Sequence, residues 1–297
     1  MSQKKIIVKL QGGLGNQLFQ YSMGKAVALK LNINLVLDLS FYTIKDSYNR
    51  HFELNNFCIA KTNIINLNDY SFLEKYHNKI KNFIFKNKAV IYKEKEVFNR
   101  TKYFENLKRG FPVNAFTLLN IGKTTRVKLL GYWQSPLYFG NIRNILLKEF
   151  TLKNELPLNK NKELKLILET ESVCIGVRQY NECKEAQVHY KLKLDYYEKA
   201  FKIIKSKINN PHYFIFTQDI EWSKKNIQPN EAITFIESSN EPCIDLELMK
   251  KCKHFIIPNS TYHWWGAWLS ESHDKLVIAP KLGWANEKPV PDDWITI

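Results

Sequence analysis

The chain of 297 residues carries 44 Lys and Arg against 29 Asp and Glu, is 44% hydrophobic and 13% aromatic, and has only 11 Gly and 10 Pro. Such a composition excludes intrinsic disorder, collagen-like sequence and low complexity. The length suits about two domains or one large α/β unit.

Charge is divided unevenly. Residues 1–150 hold 24 basic and 9 acidic side chains and residues 151–297 hold 20 of each, so the whole formal excess of +15 belongs to the first half. Asymmetry of this kind suits a domain that faces a polyanion, either nucleic acid or an anionic membrane surface. Basic residues are densest from Ser71 to Lys95, where Phe72, Leu73, Tyr76, Ile80, Phe83 and Ile84 fall near helical spacing among Lys75, Lys79, Lys81, Lys86 and Lys88. The pattern reads as a basic amphipathic helix, lying in a lipid interface or presenting a solvated Lys face. Only five mostly apolar residues, Ile6 to Leu10, precede Gln11, too few for a signal-peptide core. No window reaches the roughly 20 apolar residues of a spanning helix. The expectation is a cytoplasmic chain, with peripheral attachment to the inner face of the plasma membrane as its extension. Cys58, Cys174, Cys183, Cys243 and Cys252 are odd in number and lack zinc spacing, so they read as reduced, mostly core thiols.

In chain order, Ile6–Leu10 predicts a buried strand, Gln11–Asn16 a glycine turn, Leu18–Leu31 a helix and Leu35–Leu39 a second strand. Residues 40–125 have weak periodicity. Val127–Trp133 reads as a strand, Asn141–Phe150 as a helix and Thr151–Asn161, with Pro157, as a linker. Beyond it the pattern sharpens into strands at Val173–Val177, Tyr213–Thr217, Ile233–Ile236, His254–Ile257 and Leu276–Ala279. They alternate with helices at Leu194–Ile208, Glu221–Ile227, Ile244–Cys252 and Ser260–Ser270. That alternation predicts a parallel sheet covered on both faces, with ligands at the carboxyl ends of its strands.

The chemistry-bearing residues follow from those ends. Gly12-Gly13-Leu14-Gly15-Asn16-Gln17 joins a strand to a helix, either as a tight turn or as a loop that lets backbone approach an anion. Arg178 closes its strand, where a guanidinium can fork two phosphate oxygens. Asp219 occupies the same place after the next strand and also suits a helix N-cap. Asn259, Ser260 and Thr261 open a helix as caps or as phosphate ligands. Trp264, Trp265 and Trp268 read as core.

Taken together, GGLGNQLFQY, DYYEKAFKIIKSKI, YFIFTQDIEW, IDLELMKKCKHFIIPNSTYHWWGAWLS and KLVIAPKLGW resemble the bacterial α-1,2-fucosyltransferases of glycosyltransferase family 11. The resemblance covers most of residues 6–40 and 127–297. It implies an α/β, GT-B-like fold of two Rossmann-type domains with a cleft between them, a basic acceptor-side domain at 1–155 and a nucleotide-sugar domain at 156–297. It also implies metal-independent, inverting transfer of L-fucose from GDP-fucose to the 2-hydroxyl of a galactoside in an O-antigen or capsule. The acceptor is then a galactose-containing oligosaccharide, lipid-linked in the fullest form of the reading, and the basic half meets an anionic membrane.

One motif departs: where the family shows H-x-R-R-x-D, this chain reads Gly176-Val177-Arg178-Gln179-Tyr180-Asn181, and the family's Asp-Asp becomes Gln218-Asp219. Arg178 keeps the task of holding the leaving diphosphate. His189 matches a family His and is taken as the base ahead of Glu182 and Glu185, since imidazole titrates near working pH. Asp245 would read guanine or, as the alternative, complement the dipole of its helix. Gly13, Gly15, Asn16, Gln17, Asp219, Asn259, Ser260 and Thr261 complete the expected donor contacts. A related transferase using another nucleotide sugar, a catalytically dead sugar-binding relative, and a nucleic-acid-binding protein are the other readings. The last lacks any RNP, zinc or helix-turn-helix signature.

Overall fold

A computed structural model describes residues 5–43, 50–59, 89–94, 126–181, 184–281 and 290–297. Two units divide the chain, Met1–Phe150 and Thr151–Ile297, a few residues ahead of the expected 155/156 boundary and at the head of the expected linker.

The N-terminal unit is built on β1 (Lys5–Lys9), α1 (Leu14–Leu31), β2 (Asn34–Asp38), β3 (Ala89–Lys93), β4 (Arg126–Leu130) and α2 (Arg143–Glu149). Its sheet runs β2-β1-β4-β3, all parallel, with Ile6 opposite both Leu35 and Val127. Ile6 and Val8 are fully buried on β1, and α1 buries residues on nearly every face, as a helix enclosed by its own unit must.

Two expectations are corrected in this unit. The helix begins at Leu14, not Leu18, so Gly15 and Asn16 lie in its first turn; Gly13 has extended backbone and is the N-cap. Ala89–Lys93, at the end of the expected basic helix, is a strand paired along its length with β4. The part of that helix before Ala89 lies outside the described residues.

The C-terminal unit contains α3 (Asn161–Glu169), β5 (Glu171–Val177), α4 (Lys184–Tyr190), α5 (Leu194–Lys207), β6 (Pro211–Thr217) and α6 (Ile220–Asn226). It continues with β7 (Ile233–Ile236), α7 (Pro242–Lys251), β8 (His254–Ile256), α8 (Thr261–Leu269), β9 (Val277–Ala279) and β10 (Ile295–Thr296). The sheet order is β10-β9-β8-β5-β6-β7 with every pairing parallel, which in chain order is the doubly wound arrangement. Ser172 to Val177 are all buried, the continuous apolar run of a strand covered on both faces. Trp264, Trp265 and Trp268 are core as expected, and Trp264 stacks on Trp268 at 5.7 Å. Cys174, Cys243 and Cys252 are buried and form no disulfide, and Cys58 is exposed. Among the described residues no helix is long and apolar enough to cross a membrane.

Candidate active site

Strand order in the C-terminal sheet reverses between β5 and β8, and a parallel sheet leaves a crevice at the carboxyl ends of such a pair. Helix α5 fixes those ends from beneath. Tyr197 Oη donates to the Gly176 carbonyl at 3.1 Å, and Tyr196 Oη donates to the carbonyls of Ile257 at 2.6 Å and Ile278 at 3.2 Å. Both phenols are buried, and burial pushes both above their ordinary range. One turn of helix thereby ties β5, β8 and β9 together where the site begins.

Arg178 and Tyr180 follow β5. Tyr180 has a φ of 56°, a left-handed backbone that costs a residue with a side chain on the order of 1–3 kcal/mol. In return its ring lies 5.0 Å from the Arg178 guanidinium carbon, and its hydroxyl donates to the Asn259 carbonyl at 3.1 Å. Tyr180 therefore connects the β5 loop to the β8 loop and steadies the cation between them. Asn259 Oδ1 lies 3.4 Å from the same hydroxyl. Ser260 is the N-cap of α8, yet its side chain makes no capping bond, so the capping reading of that hydroxyl is not realised. Thr261 starts α8, half-buried.

Gly176 is required by close approach: a Cβ there would lie 2.4 Å from Cδ2 of His263. The His263 imidazole fills that space from α8. Burial and the Arg178 charge lower it to about 3, so it stays neutral at working pH. Its Nδ1 and the Oε1 of Gln179 are buried and lack hydrogen-bond partners. Arg178 thus sits beside a ring that adds no second positive charge.

The remaining C-terminal predictions are placed differently. Asp219 caps α6, its Oδ1 accepting from Trp222 N at 3.0 Å, while Oδ2 accepts from Asn181 Nδ2 at 2.9 Å. An Asp at 181 would set two carboxylates against each other there, so Asn181 matches this Asp219. Asp245, in the first turn of α7, accepts from Ser238 Oγ at 3.1 Å and Ser239 N at 3.2 Å, bracing the loop after β7. His189 is exposed on α4, with its ring 6.2 Å from Tyr190, whose own ring lies 6.0 Å from Tyr180. Glu182 and the side chain of Glu185 lie outside the described residues.

In the N-terminal unit the glycine turn stands at the carboxyl end of β1, which pairs with β2 and β4. Gly12 has φ +81°, and a Cβ there would lie 2.6 Å from Asn16 Nδ2, so the position demanding glycine is Gly12. A Cβ on Gly13 would meet nothing within 4 Å. Gln17 is fully buried: its Nε2 donates to the carbonyls of Gly12 at 3.2 Å and His51 at 2.7 Å, and its Oε1 accepts from Glu53 N at 2.9 Å. Its amide braces the turn. Asn16 Oδ1 accepts from Gln134 Nε2 at 3.0 Å, joining the β1 and β4 loops. Gly15 is buried in the first turn of α1. Sequence reasoning missed Glu53, Tyr180 and His263. A sequence signal existed for His263 alone, in the pairing of a Gly at 176 with a ring on a later helix. Among the described residues no group of three His, Cys, Asp or Glu side chains is arranged to hold a metal ion.

Comparison with known proteins agrees with this geometry. The profile of Glycosyl transferase family 11 matches residues 5–289. An Alpha-1,2-colitosyltransferase of Escherichia coli is 30% identical over 98% of both chains. The O-antigen biosynthesis glycosyltransferase WbnK of Escherichia coli is 30% identical over 97% of this chain and 99% of its own. Among solved structures, NodZ alpha-1,6-fucosyltransferase soaked with GDP-fucose superposes with a TM-score of 0.53 at 13% identity, covering 90% of this chain and 92% of that one. At that identity the likeness is one of fold, the GT-B type.

Proposed function

The chain belongs to glycosyl transferase family 11, and from that premise we propose that it moves L-fucose from GDP-fucose to the 2-hydroxyl of a galactoside in a bacterial surface glycan, with inversion. The observation that carries this reading is Arg178, steadied by Tyr180 and Asn259 at the order reversal of the C-terminal sheet. In an inverting displacement the bond from the anomeric carbon to diphosphate breaks as the acceptor oxygen attacks, and charge gathers on the leaving oxygens. A guanidinium forks two such oxygens, and the amides at the start of α8 face the same charge. These groups supply the stabilisation without a divalent metal, so EDTA leaves turnover intact. Asn259, Ser260 and Thr261 line the diphosphate, and Asp245 accepts from the guanine N–H groups with its remaining lone pairs.

The names of the relatives support the sugar and the glycan class: one transfers colitose, one serves O-antigen biosynthesis, and NodZ was soaked with GDP-fucose. The basic excess in residues 1–150 supports a lipid-linked acceptor met at an anionic membrane surface, and sedimentation with anionic against neutral vesicles tests it.

A second reading changes the donor only. Gly176, Gln179 and Asn181 replace a His, an Arg and an Asp of the family motif, and a site with fewer charged contacts suits a sugar with fewer hydroxyls, such as colitose. The deciding experiment is release of GDP from GDP-fucose and from GDP-linked deoxysugars, with and without a galactoside. Fucosyl transfer in the 2-linkage supports the first reading, and exclusive use of a dideoxy donor supports the second. Turnover of no nucleotide sugar, with salt-dependent retention of RNA, would return the basic half to a polyanion-binding role.

A further inference from the structure

We propose that His263 is the positioning residue of Arg178: the lone pair on its Nδ1 receives one N–H of the guanidinium while two others fork the donor diphosphate. The inference rests on the nucleotide-sugar reading above and adds to it the group that aims the cation.

Side chains two apart along a strand share a face, so Gly176 on β5 and Arg178 just beyond its end project to the same side. On that side Gly176 offers only backbone, and the His263 ring takes the room: a Cβ at 176 would lie 2.7 Å from Cγ of His263 and 2.5 Å from Cδ of Pro258. The ring is therefore packed at the root of Arg178, close enough that the guanidinium charge disfavours its protonation. The family motif has its His at the position of Gly176, and two rings cannot share the place. Helix α8 thus brings, from its first turn, an imidazole to a spot that the motif fills from the strand.

The hydrogen bonds of the ring fix which nitrogen does what. His263 is bonded to the Phe216 carbonyl and its Nδ1 has no partner, so the bonded nitrogen is Nε2 and carries the proton. Nδ1 then presents a lone pair. That atom is buried, and a buried acceptor without a donor weakens the fold, a cost that packing against Gly176 gives no reason to keep. A guanidinium carries five N–H groups, and forking a diphosphate uses two of them. The Tyr180 ring, 5.0 Å from the guanidinium carbon, restrains the face of the cation. A lone pair at its edge fixes the rotation that a face contact leaves open, and so the direction in which the fork points.

Two substitutions separate the ring nitrogens. Glutamine sets its amide at the place of Nε2 and keeps a donor for Phe216, but has no lone pair at the place of Nδ1. Asparagine sets a carbonyl oxygen at the place of Nδ1 and stops short of Phe216. The test measures binding of GDP, and of guanosine, which lacks the diphosphate, to the wild type, His263→Gln, His263→Asn and Arg178→Ala. Expected in His263→Gln are a loss of GDP affinity of about tenfold or more, the size of a lost hydrogen bond to a charged group, and unchanged affinity for guanosine. His263→Asn should bind GDP more tightly than His263→Gln although it melts lower. Wild-type GDP affinity in His263→Gln overturns the assignment. So does an equal loss for GDP and guanosine, which would make the ring structural, and so does GDP binding in His263→Asn no tighter than in His263→Gln. Should His263→Gln fail to fold, a tenfold loss of GDP affinity in His263→Asn overturns it instead, and failure of both to fold would make the ring structural. GDP binding that is lost with Arg178 but not with His263 keeps the donor reading and ends this inference alone. Undiminished GDP binding in Arg178→Ala, or none in the wild type, ends both.

Discussion

The two parallel sheets order their strands differently: the C-terminal sheet reverses direction between β5 and β8, whereas the N-terminal sheet, β2-β1-β4-β3 among the described residues, runs the same way on both sides of the β1–β4 pair. In the C-terminal unit the reversal carries a cation, Arg178, set beside a buried imidazole held neutral and braced by phenols that are themselves hydrogen-bonded. In the N-terminal unit the turn after β1 carries amides and backbone, with the Glu53 main chain held to it by Gln17. Positive charge suits a leaving diphosphate. Strand order thus marks where a ligand can lie, and the side chains at that place fix what chemistry it meets.

Packing gives the largest effects. Trp264 is fully buried among Trp265, Trp268 and Trp294, so Trp264→Ala should cost about 3–5 kcal/mol of stability in urea unfolding. A cost below about 1 kcal/mol would mean that the aromatic cluster does not hold α8 in place. Glycines sharpen the contrast between the two sheets. Gly176→Ala sets a Cβ against His263 and should destabilise by about 1–3 kcal/mol, whereas Gly13→Ala meets open space and should leave the melting temperature nearly unchanged. Equal losses at both positions would break the distinction between a packed and an open turn.

Acidity should move the two units in opposite directions. His263 is lowered from 6.5 to about 3, so the stability it permits is complete above 6.5 and is lost as pH falls toward 3, where the unfolded chain takes up the proton first. Glu53 is raised from 4.5 to about 7, so its contribution is complete below 4.5 and is lost as pH rises through 7. Urea unfolding at pH 5 and pH 8 should show Glu53→Gln gaining on the order of 2 kcal/mol at pH 8 and little at pH 5. His263→Gln should flatten the acid-side loss instead. An unchanged pH dependence in either variant would contradict the cause assigned to its shift. The smallest effect belongs to a cap: Asp219→Ala should cost about 1 kcal/mol through the lost bond to Trp222 N.

Much of the C-terminal unit was legible in advance because its strands are short, apolar and separated by helices with clear spacing. The strand at Val173–Val177 and the place of Arg178 at its end both followed from that pattern. β10 escaped because two residues carry no periodicity, and α3 because Asn161–Glu169 reads as polar chain beside the linker. α1 defeated its expected boundary for a different reason: with a Gly as N-cap and nearly all faces buried, neither capping chemistry nor amphipathic spacing marks its start. The family motif directed attention to Arg178 but could not reveal Tyr180, whose role depends on a left-handed backbone, nor His263, which reaches Gly176 from a distant helix. The raised pKa of Glu53 was hidden because burial is a property of the folded unit and not of the Phe52-Glu53-Leu54 sequence around it.

The assignment of the diphosphate to Arg178, at the order reversal of the C-terminal sheet, is tested most directly by the shift in melting temperature that GDP produces in the wild type, Arg178→Ala and Arg178→Lys. The account predicts a full shift in the wild type, none or nearly none in Arg178→Ala, and little recovery in Arg178→Lys, since an ammonium cannot fork two oxygens. A full GDP shift in a folded Arg178→Ala chain would contradict it.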